Sequence, residues 1–168
     1  MTSAESDYLL RLAALSLSFV GFSAVVVTLR GALGGKLSDS HLRLVRLYIE
    51  GGFMVTALAL VPTLLNLLHV PSAVTWPLSS ATAASILTLV LVVQFRRRRT
   101  VERRFPPWVV AIYAISTVAV AGLWINVTGL LFPPGVGPYA VALTWALCVF
   151  GIIFVRTIEL FLHEPPKS

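Results

Sequence analysis

Few charged side chains in this sequence are placed where they could do chemistry, and four of them share one depth in two apolar stretches. Arg46 immediately precedes the second apolar stretch and Glu50 lies one turn inside it, while Arg156 and Glu159 lie near the end of the fifth. Charges inside membrane-length apolar helices are costly and usually functional. We predict that Glu50 and Arg156 meet across the contact between these two helices. Such a cluster would form an inner gate or a cation-attracting vestibule, or it would simply pin the helices together.

Residues that usually carry catalysis or bind metals form no recognisable pattern. The sequence has no Gly-x-Ser-x-Gly motif, no His-Glu-x-x-His motif and no acidic metal-binding cluster. The histidines, His41, His69 and His163, are not spaced as ligand pairs. We therefore expect no catalytic residue, no metal site and no cofactor. The middle third of each apolar stretch also lacks Asp, Glu, Lys, Arg and His, which disfavours proton-coupled or sodium-coupled transport.

Small and polar residues recur at helical spacing along the apolar stretches. In the first stretch the stripe consists of Asp7, Arg11, Ala14, Ser18, Gly21, Val25 and Thr28. Such stripes either let helices pack closely or line a polar path at the axis of an oligomer. The candidate lining residues are Ser18, Thr28, Thr56, Thr63, Asn66 and Asn126.

Pro62 interrupts the hydrogen-bonding pattern of the second stretch. It cannot donate to the Leu58 carbonyl, so we expect a kink at this point. The freed carbonyl lies close in sequence to Thr63 and Asn66, and together they could bind an ion or a small polar solute. Alternatively, a neighbouring Ser or Thr satisfies the carbonyl, and the kink has no further role.

The elements that position these residues are five long apolar stretches. They cover residues 8–29, 47–69, 77–95, 108–132 and 139–162. The chain is 57% hydrophobic and 12% charged, and a hydrocarbon core of ~30 Å is crossed by ~20 apolar helical residues. The sequence therefore predicts an all-α fold, a bundle of five transmembrane helices that forms a single domain over residues 1–168.

The basic residues are distributed unevenly between the two sides of the predicted membrane. Of the 13 Lys and Arg residues, all except Arg11 fall on one side of the predicted membrane. By the positive-inside rule, the N-terminus lies outside and the C-terminus lies in the cytoplasm. The densest run should contact anionic lipid on the cytoplasmic face and consists of Arg96, Arg97, Arg98, Arg99, Arg103 and Arg104. This placement also argues against nucleic acid as the partner of a chain with a net charge of +6.

Several segments carry a resemblance to a known kind of protein. They are residues 19–24 (Phe-Val-Gly-Phe-Ser-Ala), the Arg43, Arg46, Glu50 spacing that leads into Pro62, and residues 137–139 (Gly-Pro-Tyr) running to Trp145 and Phe154. Together they resemble a loose group of uncharacterised small bacterial inner-membrane proteins. The resemblance implies five helices and a bacterial inner membrane. The group carries no established activity, so it assigns no residue a role.

These observations together lead to an expectation about function. We expect a non-enzymatic protein that forms homo-oligomers and provides a channel or pore-like path for ions or small solutes. The alternative is a structural or auxiliary subunit that binds another membrane protein through the same stripes, and a carrier is a further alternative. The expected partners are the lipid bilayer, anionic lipids on its cytoplasmic face, and either further copies of the chain or another membrane protein.

Overall fold

The computed structural model of the chain describes residues 2–32, 39–101 and 105–163. The regular structure of this part is helical throughout. The helices are α1 (Ser3–Ala32), α2 (Asp39–Leu67), α3 (Ser72–Val101), α4 (Pro107–Thr128) and α5 (Val136–His163). All five are long and apolar enough to cross a membrane. This confirms the predicted all-α architecture with five membrane-length helices, while the orientation of the chain in the membrane stays a prediction.

Helix α1 begins earlier than its apolar stretch because a capping box starts it. The backbone N–H of Thr2 donates to the Glu5 carboxylate at 2.7 Å, and the Glu5 N–H donates to the Thr2 hydroxyl at 3.3 Å. These reciprocal bonds satisfy N–H groups that a helix start leaves without partners. The Thr-x-x-Glu signature is visible in the sequence. Helix α4 begins at Pro107, where a proline suits the first helical position.

Left-handed residues end two of the helices. His69 follows α2 with φ 58°, and the N–H of Val70 donates to the Leu65 carbonyl while that of His69 donates to the Asn66 carbonyl. This is a Schellman motif with histidine in the position that glycine usually takes. Gly129 follows α4 with φ 65° and donates to the Ile125 carbonyl. Helix α4 therefore ends at Thr128, before the end of the predicted stretch at residue 132.

Consecutive helices pack antiparallel, and α5 contacts all four of the others. We name the two ends of the bundle by what they carry. The arginine end carries Arg46, Arg96–Arg99 and Arg156, and the loop end carries the α2–α3 and α4–α5 connections. In the described part of the chain, α1 packs on α2 and α5 but not on α3 or α4. Helix α1 therefore lies at the edge of the bundle.

Two adjacent glycines let α2 approach its neighbours on two sides. A Cβ at Gly51 would overlap the Phe150 ring of α5, and a Cβ at Gly52 would overlap Val20 of α1. The Ser16 hydroxyl of α1 also donates to the Gly52 carbonyl at 2.8 Å. Small residues at such contacts are the usual way that membrane helices pack, because lipid supplies no hydrophobic force between them.

The core divides into two clusters along the bundle. The cluster toward the loop end contains Leu9, Leu58, Trp76, Leu123 and Tyr139 among its buried residues. The cluster toward the arginine end is built around Tyr48, Phe150 and Phe154, and Phe19 packs edge-on against both Tyr48 and Phe154.

Candidate functional site

The stripe of small and polar residues on α1 faces away from the protein's own bundle. Its members are all exposed and are Asp7, Arg11, Ala14, Ser18, Gly21, Val25 and Thr28. At 100° per residue these positions lie opposite the buried residues Leu9, Leu12, Ser16 and Val20. We call this surface the outward face of α1. A Cβ at Gly21 would meet nothing within 4 Å, so the face presents open space to whatever surrounds it.

The candidate lining residues on α2 lie elsewhere. The Thr56 hydroxyl donates to the Gly52 carbonyl at 3.0 Å and lies 3.4 Å from the Ala13 carbonyl of α1. Thr63 is two turns further along the same side of α2, and its buried hydroxyl has no hydrogen-bond partner among the described residues. Asn66 is exposed near the end of the helix. Thr56 and Thr63 thus face the α1 contact and not the outward face of α1.

Asn126 is buried and acts as a clamp on the loop between α4 and α5. Its amide nitrogen donates to the Ser80 hydroxyl at 2.8 Å and to the Gly135 carbonyl at 3.0 Å. Its amide oxygen accepts the N–H of Gly135 at 3.0 Å. The side chain therefore holds α3, α4 and the loop together. With these bonds made, Asn126 has little capacity left for a passing solute, and the structure does not bring it together with Ser18 or Thr28.

The carbonyl freed by Pro62 is satisfied by a tyrosine. The Tyr139 hydroxyl of α5 donates to the Leu58 carbonyl at 2.5 Å, and both residues are buried. The alternative without a solute is thus the one the structure shows, although the donor is a tyrosine from another helix and not the expected Ser or Thr. The Leu58 carbonyl therefore has a donor within the protein and needs no ion or solute to satisfy it.

The predicted ion pair between Glu50 and Arg156 does not form. Glu50 pairs with Arg46 of its own helix at 2.5 Å, and Arg156 pairs with Glu159 of its own helix at 3.0 Å. More than half of each of these side chains is exposed. Glu50 pairs with Arg46, although arginine before glutamate is the less favourable order on a helix. Within the described part of the chain, each of the two helices thus holds a local ion pair of its own.

Arginines 96–99 lie on the last turns of α3 and do not share one environment. Arg96, Arg97 and Arg99 are exposed, whereas Arg98 is half-buried and lines a cavity between α3, α4 and α5. Arg103 and Arg104, which we also predicted as lipid contacts, lie outside the described residues. The positive charge of this run can be predicted from the sequence. The partial burial of Arg98 at the cavity cannot.

The remaining residues of interest are those that could act as metal ligands. Among the described residues no three His, Cys, Asp or Glu side chains come together as ligands. The side chains of His41 and His163 lie outside the described part of the chain. His69 lies in the left-handed conformation that ends α2.

Comparison of the chain with protein-family models, with curated proteins and with solved structures gives no match in any of the three. The resemblance to small bacterial inner-membrane proteins therefore gains no support from these comparisons. Residue roles must come from the geometry alone. Two features stand out in it, the outward face of α1 and the cavity at the arginine end.

Proposed function

We propose that the protein is a non-enzymatic membrane protein that works as a homo-oligomer, with the outward face of α1 turned toward the oligomer axis. Ser18, Gly21 and Thr28 would line a channel-like path for ions or small solutes. The observation that carries the proposal is the direction of the polar stripe on α1. It faces away from the protein's own bundle, on a helix at the edge of that bundle.

The charges at the loop end of α1 favour a second copy as the neighbour. The ion pairs of the described residues join Arg46 to Glu50 and Arg156 to Glu159, and neither involves Asp7 or Arg11. Copies in one membrane share an orientation, so their α1 helices run parallel. Asp7 of one copy then lies one turn from the level of Arg11 on the next, which makes the face complementary to itself.

A second candidate function is a structural or auxiliary subunit that presents the same face to a different membrane protein. It is favoured by the hydroxyl groups of the stripe. Ser18 donates to the Ala14 carbonyl and Thr28 to the Ala24 carbonyl, so both groups are satisfied within α1. Hydroxyls bonded in this way can pack in a dry contact and do not require water beside them.

The proposed setting is a bacterial inner membrane with the N-terminus outside. The concentration of described arginines at one end of the bundle supports this orientation through the positive-inside rule. Contact of the same arginines with anionic lipid belongs to the proposal as well. Localisation of a C-terminal fusion reporter would test the orientation, and we expect activity from a reporter that works in the cytoplasm.

The test of the channel combines mass with flux. We expect the purified protein, after subtraction of bound detergent, to have the mass of a discrete homo-oligomer and to conduct small ions in liposomes. Thr28→Leu and Ser18→Leu should reduce the flux strongly. Thr117→Leu is the matched control, because Thr117 is also exposed and donates to a carbonyl four residues back. A monomer without flux would overturn the channel, and specific recovery of one other membrane protein would favour the auxiliary subunit.

A further inference from the structure

A cavity of about 130 Å³ lies between α3, α4 and α5 in the half of the bundle nearest the arginine end. On α3 its lining runs from Leu87 to Arg98, a distance of ~16 Å along a helix that rises 1.5 Å per residue. Many of the residues that line it are half-buried. The cavity therefore opens to the surface of the bundle and is not sealed inside it.

The walls of this cavity are unsuited to a polar solute. Aliphatic and aromatic side chains of all three helices form most of the lining. Two polar groups deeper in the wall satisfy each other, since the Trp145 ring N–H donates to the Ser116 hydroxyl at 3.0 Å. A buried water needs two to four polar partners. An apolar occupant suits such walls better than water or an ion does.

The mouth of the cavity differs from its walls. Gln94 and Arg98, one turn apart on α3, form its polar rim at the arginine end. Trp108 of α4 also lines the cavity, and the Arg156 guanidinium lies 5.5 Å from the centre of its ring. Positive charge and an amide therefore stand at the end of an apolar slot. This arrangement suits a molecule with an apolar tail and an anionic head.

We propose that this cavity binds one acyl chain of an anionic phospholipid, whose phosphate is held by Arg98 and Gln94. The length of the slot supports this occupant, because one leaflet of the bilayer is about half of a ~30 Å hydrocarbon core. The position supports it too, since the mouth lies at the level of the arginine run, where lipid headgroups would be. Guanidinium groups bind phosphate through charge-assisted hydrogen bonds. This inference does not depend on the proposed channel, but it rests on the proposed contact of the arginine run with anionic lipid.

The test is a titration of the purified full-length protein with lipid, followed by native mass spectrometry. Phosphatidylglycerol is the anionic probe, phosphatidylcholine the zwitterionic one, and glycerol phosphate a headgroup without tails. We expect one phosphatidylglycerol to bind per chain about tenfold more tightly than phosphatidylcholine, and glycerol phosphate not to compete. Binding of glycerol phosphate as tight as that of the lipid would overturn the role of the acyl chain.

Two pairs of variants locate the site. Arg98→Gln should weaken phosphatidylglycerol binding about five- to tenfold, whereas Arg97→Gln, at an exposed position of the same run, should change it less than about twofold. Val149→Phe should fill the slot and reduce binding, and Val141→Phe on the exposed side of α5 should not. Because Arg98 is half-buried at the rim, we expect the Arg98→Gln variant to fold even if the Val149→Phe variant does not fold. Equal losses for the two arginine variants would contradict the site and indicate a diffuse charged surface.

Discussion

The two ends of the bundle use their polar groups in opposite ways. At the loop end, Asn126 and Tyr139 are buried and their polar atoms make hydrogen bonds to groups distant in the sequence. At the arginine end, the ion pairs are exposed and local, and the space between α3, α4 and α5 contains an apolar cavity. Buried polar bonds fix a structure because an unpaired group is costly. The loop end therefore holds the helices in register, and the arginine end leaves room for a ligand.

The largest effect should come from breaking the clamp at the loop end. Asn126→Leu removes the hydrogen bonds to Ser80 and to both backbone groups of Gly135. We expect the free energy of unfolding to fall by about 2–4 kcal/mol, because buried partners lose their bonds. Denaturation in mixed micelles measures this. Asn66→Leu, at an exposed position, is the control and should change it by no more than about 0.5 kcal/mol. Equal effects of the two variants would remove the clamp from the account.

A smaller effect should follow from removing the hydroxyl that serves the proline site. Tyr139→Phe leaves the Leu58 carbonyl without the tyrosine hydroxyl and without an N–H from Pro62. We expect a loss of about 1–2 kcal/mol in the same denaturation experiment. Tyr8→Phe is the control, since the Tyr8 hydroxyl bonds Thr144 at an exposed position and should contribute less. A silent Tyr139→Phe would mean that the carbonyl finds another donor.

The turn after α2 offers a change in the opposite direction. His69 has φ 58°, a conformation that glycine adopts without a steric cost. We expect His69→Gly to raise the free energy of unfolding by about 0.5–1 kcal/mol. His69→Ala keeps a Cβ in the same conformation and should bring no gain. A loss of stability in the glycine variant would indicate that the imidazole makes a favourable contact of its own.

The smallest effect is expected at the arginine end. Glu50→Gln removes the pair with Arg46, but both side chains are largely exposed and adjacent on one helix. Such pairs contribute little because solvent screens them. We therefore expect no measurable change in the unfolding midpoint. A clear loss of stability would show that Glu50 has a role between helices, as the sequence had suggested.

The features that could be predicted from the sequence are those that depend on neighbouring residues. Apolar length predicts the five helices, and the proline pair at 106–107 predicts the start of α4. The spacing of the α1 stripe predicts a continuous face, because helical periodicity is local.

The features that could not be predicted depend on which helices become neighbours. Tyr139 meets Leu58 across 81 positions, and Asn126 meets Ser80 across 46. No local pattern signals either pair. The direction of the α1 stripe also depends on a contact between helices. Gly52 of α2 packs against Ser16 and Val20 on the opposite side of α1, so the stripe faces outward. The prediction for Glu50 was wrong because it preferred a distant partner over Arg46 in the adjacent turn.

Cysteine crosslinking in native membranes tests most directly whether the outward face of α1 contacts a second copy. Cys148, the single cysteine of the sequence, is exposed and is first replaced by serine. Gly21→Cys on α1 is then compared with Gly122→Cys on α4, since a Cβ at either position meets nothing within 4 Å. We predict a disulfide-linked dimer for the variant at position 21 and none for the variant at position 122. Equal crosslinking at both positions, or none at position 21, would contradict the account.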